Sequence, residues 1–222
     1  MNKPTRLQLG TSRLEYLSPD ALRVFLDKSW MHFGDAAATH TWWGQKLRAI
    51  RHPRRVRNID TLYKKTNFME FYFSKGIRLP FEDNSLTFIF SEHFFEHLFL
   101  DDALALFGEC FRILATRGVM RISVPDADLR TYEPPERVGY PSKRMPFTHP
   151  NKHKTRWSIY MLSESLNMCG FTVVPIRYCD RNGQYIKTEP HNYDGCAETQ
   201  LICDLSYLQR PDSLIVDAIK NV

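Results

Sequence analysis

Residues 79–126 read LPFEDNSLTFIFSEHFFEHLFLDDALALFGECFRILATRGVMRISVPD, and this stretch decides the fold. Asp83-Asn84-Ser85 is a turn signal. Leu86 to Phe90 follows as a short run rich in aromatic and β-branched residues, the pattern of a strand buried on both faces. Polar Ser91, Glu92 and His93 come at its C-terminal end, the edge where open parallel sheets hold their ligands. Ala103, Leu104, Leu106, Phe107, Cys110, Phe111 and Leu114 recur at helical spacing, and Gly118 is expected to stop that helix. Val119 to Val124 then predicts a second buried strand. The unit is strand, helix, parallel strand.

The flanking sequence extends this alternation. Arg6 to Leu9 predicts a first strand ending at Gly10; Ser18-Pro19 starts a helix carrying Leu22, Phe25 and Leu26; Trp30 to Phe33 predicts a second strand. Residues 36–68 are irregular and basic and read as an insertion, and Met69 to Phe73 predicts the third strand. Beyond Asp126, residues 130–156 are rich in proline and charge and read as a lid-like loop. Ser158 to Met168 predicts a helix closed by Gly170, followed by strands at Thr172 to Tyr178 and Ser213 to Ile219, with turn signals at Asn182-Gly183 and Asp194-Gly195. This order predicts an α/β fold, a Rossmann-like doubly wound, mainly parallel sheet flanked by helices, in a single domain spanning 1–222.

Composition narrows the function classes. At 222 residues, 43% hydrophobic and 25% charged, the chain buries a full core. Its five cysteines are scattered without a C-x-x-C pair and read as reduced thiols, and no apolar run reaches membrane-span length or forms a signal core. A cytoplasmic protein with no membrane span is therefore expected. Within the net charge of +5, Lys46, Arg48, Arg51, Arg54, Arg55 and Arg57 crowd one segment beside Trp42 and Trp43. That segment, 46–57, is either a solvated face or a surface for an anionic partner.

Three motifs carry a resemblance: Pro80 to Ser85, Ser91 to Leu98 with its S-x-H-x-x-E-H-L pattern, and Arg112 to Gly118. With these the chain resembles the class I S-adenosylmethionine-dependent methyltransferases, in particular predicted bacterial members of the methyltransferase type 11 kind. Thr116-Arg117-Gly118 stands where that family usually has proline and glycine. The resemblance implies the class I methyltransferase fold, S-adenosylmethionine as cofactor, and methyl transfer as the reaction. It places the cofactor turn at Gly10, Thr11 and Ser12, with one glycine where the family has two, and a ribose-binding carboxylate at Asp35, preferred over Asp60. Ser74 stands where the family has an acidic residue near adenine, and Ser91 and Glu92 close the pocket, Glu92 bringing negative charge toward a cationic sulfonium.

Candidate bases are His93, Asp126, His149 and His153, needed where the acceptor must lose a proton. The expected acceptor is a small polar molecule or saccharide, with a sugar hydroxyl as the working class. His93 to His97 also matches the inverted zinc-protease pattern H-x-x-E-H. A metal is not expected there, because the two intervening phenylalanines and a strand-to-helix bend should send the side chains in divergent directions. A nicotinamide dehydrogenase would need more glycines after the first strand. A noncatalytic binding or scaffold protein on a degenerate methyltransferase fold is the alternative, which cofactor affinity discriminates. The sequence leaves the oligomeric state open.

Overall fold

The computed structural model describes residues 3–10, 24–34, 64–129, 142–143, 146, 148, 152–189 and 213–222. The chain divides into two compact units, Met1–Tyr72 and Phe73–Val222. In the first, β1 (Arg6–Leu9), β2 (Trp30–Gly34) and β3 (Phe68–Glu70) pair in parallel in the order β3-β2-β1. Leu7, Leu9 and Phe33 are fully buried. The third strand is shorter than its apolar run Met69 to Phe73 suggests. It pairs with β2 only through Gly34↔Glu70, after which Phe71 N donates to Gly34 O (3.0 Å) and the register ends with β2 itself.

The second unit contains β4 (Leu86–Glu92), α1 (Leu100–Ile113), β5 (Leu114–Pro125), α2 (Ile159–Met168), β6 (Thr172–Cys179), β7 (Tyr185–Lys187) and β8 (Ser213–Ile219). Its strands lie in the order β4-β5-β8-β6-β7. β4 and β5 are parallel, and β8 runs antiparallel to both β5 and β6. It follows that β4, β5 and β6 share one direction, while β8 and the short hairpin partner β7 oppose it. β7 carries no apolar signal of its own; the Asp180 to Gln184 turn, with Gly183 at φ 79, folds it back on β6.

α1 buries Ala103, Leu106, Phe107, Cys110 and Ile113, the stripe its helical spacing predicts. Its end, however, is at Ile113, five residues before Gly118. The chain passes straight into β5 and then bulges, the ladder stepping from Leu86↔Leu114 to Phe88↔Val119. Arg117 takes the positive φ of 66, while Gly118 is required for closeness: a Cβ there would lie 2.8 Å from Ala115 O and 2.9 Å from Leu114 Cδ2. Thr116 and Arg117, which depart from the family pattern, are thus accommodated by the bulge.

The spacing of two of these motifs has a direct structural cause. Arg112 ties the helix end to the turn before β4, donating to Leu79 O (3.1 Å), Phe81 O (2.9 Å), Asp83 Oδ1 (2.7 Å) and Glu109 Oε2 (2.7 Å). Lys220 completes that corner, its Nζ donating to Asn84 Oδ1 (2.7 Å) and to the helix-end carbonyls of Phe111 (2.8 Å) and Leu114 (2.9 Å). Across the sheet, Arg121 and Asp217 face each other in the β5–β8 register and form a bidentate pair at 2.7 and 2.8 Å, both essentially fully buried. Among the described residues no helix is long and apolar enough to cross a membrane.

Candidate active site

β4 delivers its last residues to the C-terminal edge of the sheet. Ser91 and Glu92 are buried there, and His93 leaves the strand with φ 48 while its N still donates to Ser123 O (2.8 Å) on β5. A non-glycine residue in the left-handed region is held by its surroundings and marks a place to look for function. The chain then makes a 3-10 turn over Phe95–His97. Phe95 is fully buried against Phe107 of α1, ring centroids 4.5 Å apart, and this anchor fixes the turn.

The turn brings Glu96 beneath His93. His93 lies ahead of the turn, and its left-handed backbone turns the chain back so that its Nδ1 lies 3.1 Å from Glu96 Oε1, while His97 Nε2 lies 4.0 Å from the same oxygen. The Glu96 side chain is buried, and neither of its oxygens has a hydrogen bond of good geometry among the described residues, the His93 contact being an ion-pair approach. Burial works against its charge, yet the bond to His93 and the charges of His93 and His97 outweigh that and hold the carboxyl below its ordinary pKa. On the other side of His93, Nε2 is 3.2 Å from Ser213 Oγ, at the start of β8. In the neutral ring, an Nδ1–H facing the carboxylate leaves Nε2 as the accepting nitrogen. The order serine, histidine, carboxylate is that of a nucleophilic triad, but Ser213 is fully buried and serves here to orient the imidazole.

A second segment completes the cluster. Lys154 N (2.7 Å) and Thr155 N (3.2 Å) both donate to Glu96 O, and Thr155 Oγ1 donates to Leu98 O (2.7 Å). Fully buried Trp157 sits next to Phe107 and bridges to Asp126. These contacts strap residues 152–157 onto the 3-10 turn and set His153 edge-on against His97, ring centroids 5.0 Å apart. Burial lowers the His153 pKa to about 4, with the Glu96 charge opposing, so this imidazole is neutral near pH 7.

The expected divergence of the His93 to His97 side chains is therefore corrected: Glu96, His97 and His153 offer ligand atoms all within 4.8 Å of one another, with His93 on the same carboxylate. Asp126 lies at the end of β5, buried, with both oxygens engaged. Oδ2 accepts from Cys179 N (2.6 Å) and Oδ1 from Asp128 N (3.0 Å), so it clamps the ends of β5 and β6 beyond the start of β8. Burial raises its pKa against the pull of those two amides. Ser74 lies exposed in a turn closed by Ile77 N donating to its carbonyl (3.1 Å). Thr11, Ser12, Asp35, His149 and the basic segment 46–57 lie outside the described residues. The residues that sequence reasoning did not assign to the site are Glu96, His97 and Ser213. The first two were visible in the H-x-x-E-H string; Ser213 had no local signal.

A methyltransferase domain family matches residues 47–122, the stretch that contains β3, β4, α1 and most of β5. The match spans about a third of the chain, and the fold is that of the class I S-adenosylmethionine-dependent methyltransferases. No curated protein matches it significantly. Its fold is shared with a SAM-dependent methyltransferase of Archaeoglobus fulgidus, 15% identical, TM-score 0.52, covering 98% of this chain and 86% of the other. It is likewise similar to a SAM-dependent methyltransferase of Thermotoga maritima, 13% identical, TM-score 0.50, covering 99% of this chain and 83% of the other.

The chain's own residues fit S-adenosylmethionine. Ser91 Oγ is buried at the strand edge with no hydrogen-bond partner among the described residues, an orphan that a bound ligand would satisfy. Beside it Glu92 supplies buried negative charge suited to a sulfonium. In the first unit, Gly10 takes φ 75 in the turn after β1, a conformation open to glycine and costly for most other residues.

Proposed function

We propose that this methyltransferase acts on a hydroxyl of a small polar or saccharide acceptor, with His93 as general base. When bound, S-adenosylmethionine supplies an activated methyl group, so the protein must align the acceptor and, for a hydroxyl, take its proton. The observation that carries the reading is the Glu96–His93 pair at the C-terminal edge of β4. The buried carboxylate fixes the ring and its tautomer, leaving Nε2 as the proton acceptor, with the Ser213 hydroxyl holding the place an acceptor hydroxyl would take. An acceptor already carrying a free lone pair, such as a neutral amine or a thioether, would have no need of this pair. Ser91 and Glu92 are the second unit's candidates for holding the cofactor.

The test uses methyl-labelled S-adenosylmethionine with neutral and acidic saccharides, amines and thiols as acceptor panels. Label transferred to saccharide oxygen supports the reading; label on amines or thiols alone overturns it. His93→Asn, which tolerates the left-handed backbone, is expected to lower transfer by about a hundredfold while leaving the cofactor dissociation constant unchanged. Undiminished transfer by this variant would remove His93 as the base.

A further inference from the structure

We propose that Glu96, His97 and His153 form a site for one divalent first-row transition-metal cation. The three side chains come from two separate segments, the 3-10 turn and the strap at 152–157, and the backbone bonds from Lys154 and Thr155 to Glu96 O hold those segments together. Their donor atoms lie within 4.8 Å of one another. An ion at bond lengths of about 2.1 Å needs neighbouring donors about 3.4 Å apart, so the cluster must contract by roughly 1.4 Å. His97 has room to adjust: its Nδ1 makes a long 3.4 Å approach to Lys152 O, and its Nε2 faces the carboxylate.

Glu96 gives the second, independent indication. Its carboxylate is almost completely buried, with Oε1 3.1 Å from His93 Nδ1 and neither oxygen in a hydrogen bond of good geometry among the described residues. A buried carboxylate oxygen with no partner is costly, and a cation beside it removes that cost. His93 then stands as the outer partner that orients a ligating carboxylate.

Two imidazoles and one carboxylate suit zinc, manganese or cobalt rather than calcium or magnesium, which prefer all-oxygen shells. Three protein ligands also leave a coordination position open, as catalytic rather than structural sites do. A hydroxyl oxygen in that position would be acidified next to His93. That role rests on the acceptor reading above; cation binding itself does not.

The experiment titrates chelator-treated full-length protein, purified without a metal-affinity tag, with Zn²⁺, Mn²⁺ and Co²⁺ separately by calorimetry, and measures S-adenosylmethionine binding on the same samples. One equivalent of at least one cation is expected to bind. His153→Ala and His97→Ala should each weaken that binding at least tenfold while keeping wild-type cofactor affinity, which also reports that the variants are folded. Cofactor binding without saturable binding of any of the three cations overturns the site, as does equal cation affinity in wild type and both variants. One bound cation together with no transfer to any saccharide would retain the site and reject the acceptor reading alone.

Discussion

His32 shows how strongly burial acts on a single group in this protein. It is fully buried in β2, with Nδ1 2.8 Å from Gln8 Oε1 and its ring 4.4 Å from that of Phe25. Desolvation lowers its pKa from 6.5 to about 4, a backbone bond to Phe25 and the charge of Asp27 opposing weakly. The folded state therefore keeps the ring neutral where the unfolded chain has already taken up a proton. Its contribution is fully present above pH 6.5 and is lost as pH falls from 6.5 to about 4, a change on the order of 3 kcal/mol. Urea unfolding at pH 7.5 and at pH 4.5 should show this loss, and His32→Gln should reduce the difference between the two. Identical pH dependence in wild type and variant would show that His32 does not carry it.

At the level of elements, the junction between α1 and β5 depends on one missing side chain. Gly118 has backbone carbonyl oxygens of Ala115 and Thr87 within 3.2 Å of where its Cβ would be, and Leu114 Cδ2 within 2.9 Å. The carbonyls belong to the bulge and to β4, so they cannot rotate away. Gly118→Ala is expected to destabilise the protein by about 1–3 kcal/mol, whereas Gly108→Ala, with open space around its Cβ position, should be neutral or stabilising. Thermal melting of the two variants decides it; equal melting temperatures would mean the bulge relaxes. The helix and both neighbouring strands were legible from the sequence because apolar periodicity is a local signal. The bulge was not: the apolar run simply continues through Leu114, and nothing local says that the ladder jumps there from Leu114 to Val119.

On the scale of the whole molecule, the Phe73–Val222 unit is organised around Arg121 and Asp217, buried opposite each other in the middle of β5 and β8. Breaking such a pair leaves an uncompensated charge in the core, so Asp217→Leu alone should cost about 3–5 kcal/mol, a large share of a typical folding free energy. The double replacement Arg121→Met with Asp217→Leu should recover most of that loss, read as the midpoint of denaturant unfolding. Failure to recover would mean that the pair sets the β5–β8 register and is not merely tolerated in it.

Distance along the chain also explains what the sequence concealed about the site. His93 and its neighbours at the end of β4 were identifiable from their position alone. That Glu96 and His93 meet was not legible, because the contact depends on the left-handed backbone of His93 ahead of a 3-10 turn, which the H-x-x-E-H spacing alone does not specify. Ser213 lies 120 residues from His93 and meets it only through sheet pairing.

The bridge between Asp126 and Trp157 has one more consequence. Ala127 N donates to Trp157 O (2.9 Å), so the segment leaving β5 and the one returning toward α2 are fastened together at their base. Whatever lies between begins and ends at the same fixed point. Lengthening such a closed loop adds only about 0.6 kcal/mol per doubling. The sequence between residues 129 and 152 can therefore change in length at little cost to folding, while Glu96, His97 and His153 stay where the two stems hold them.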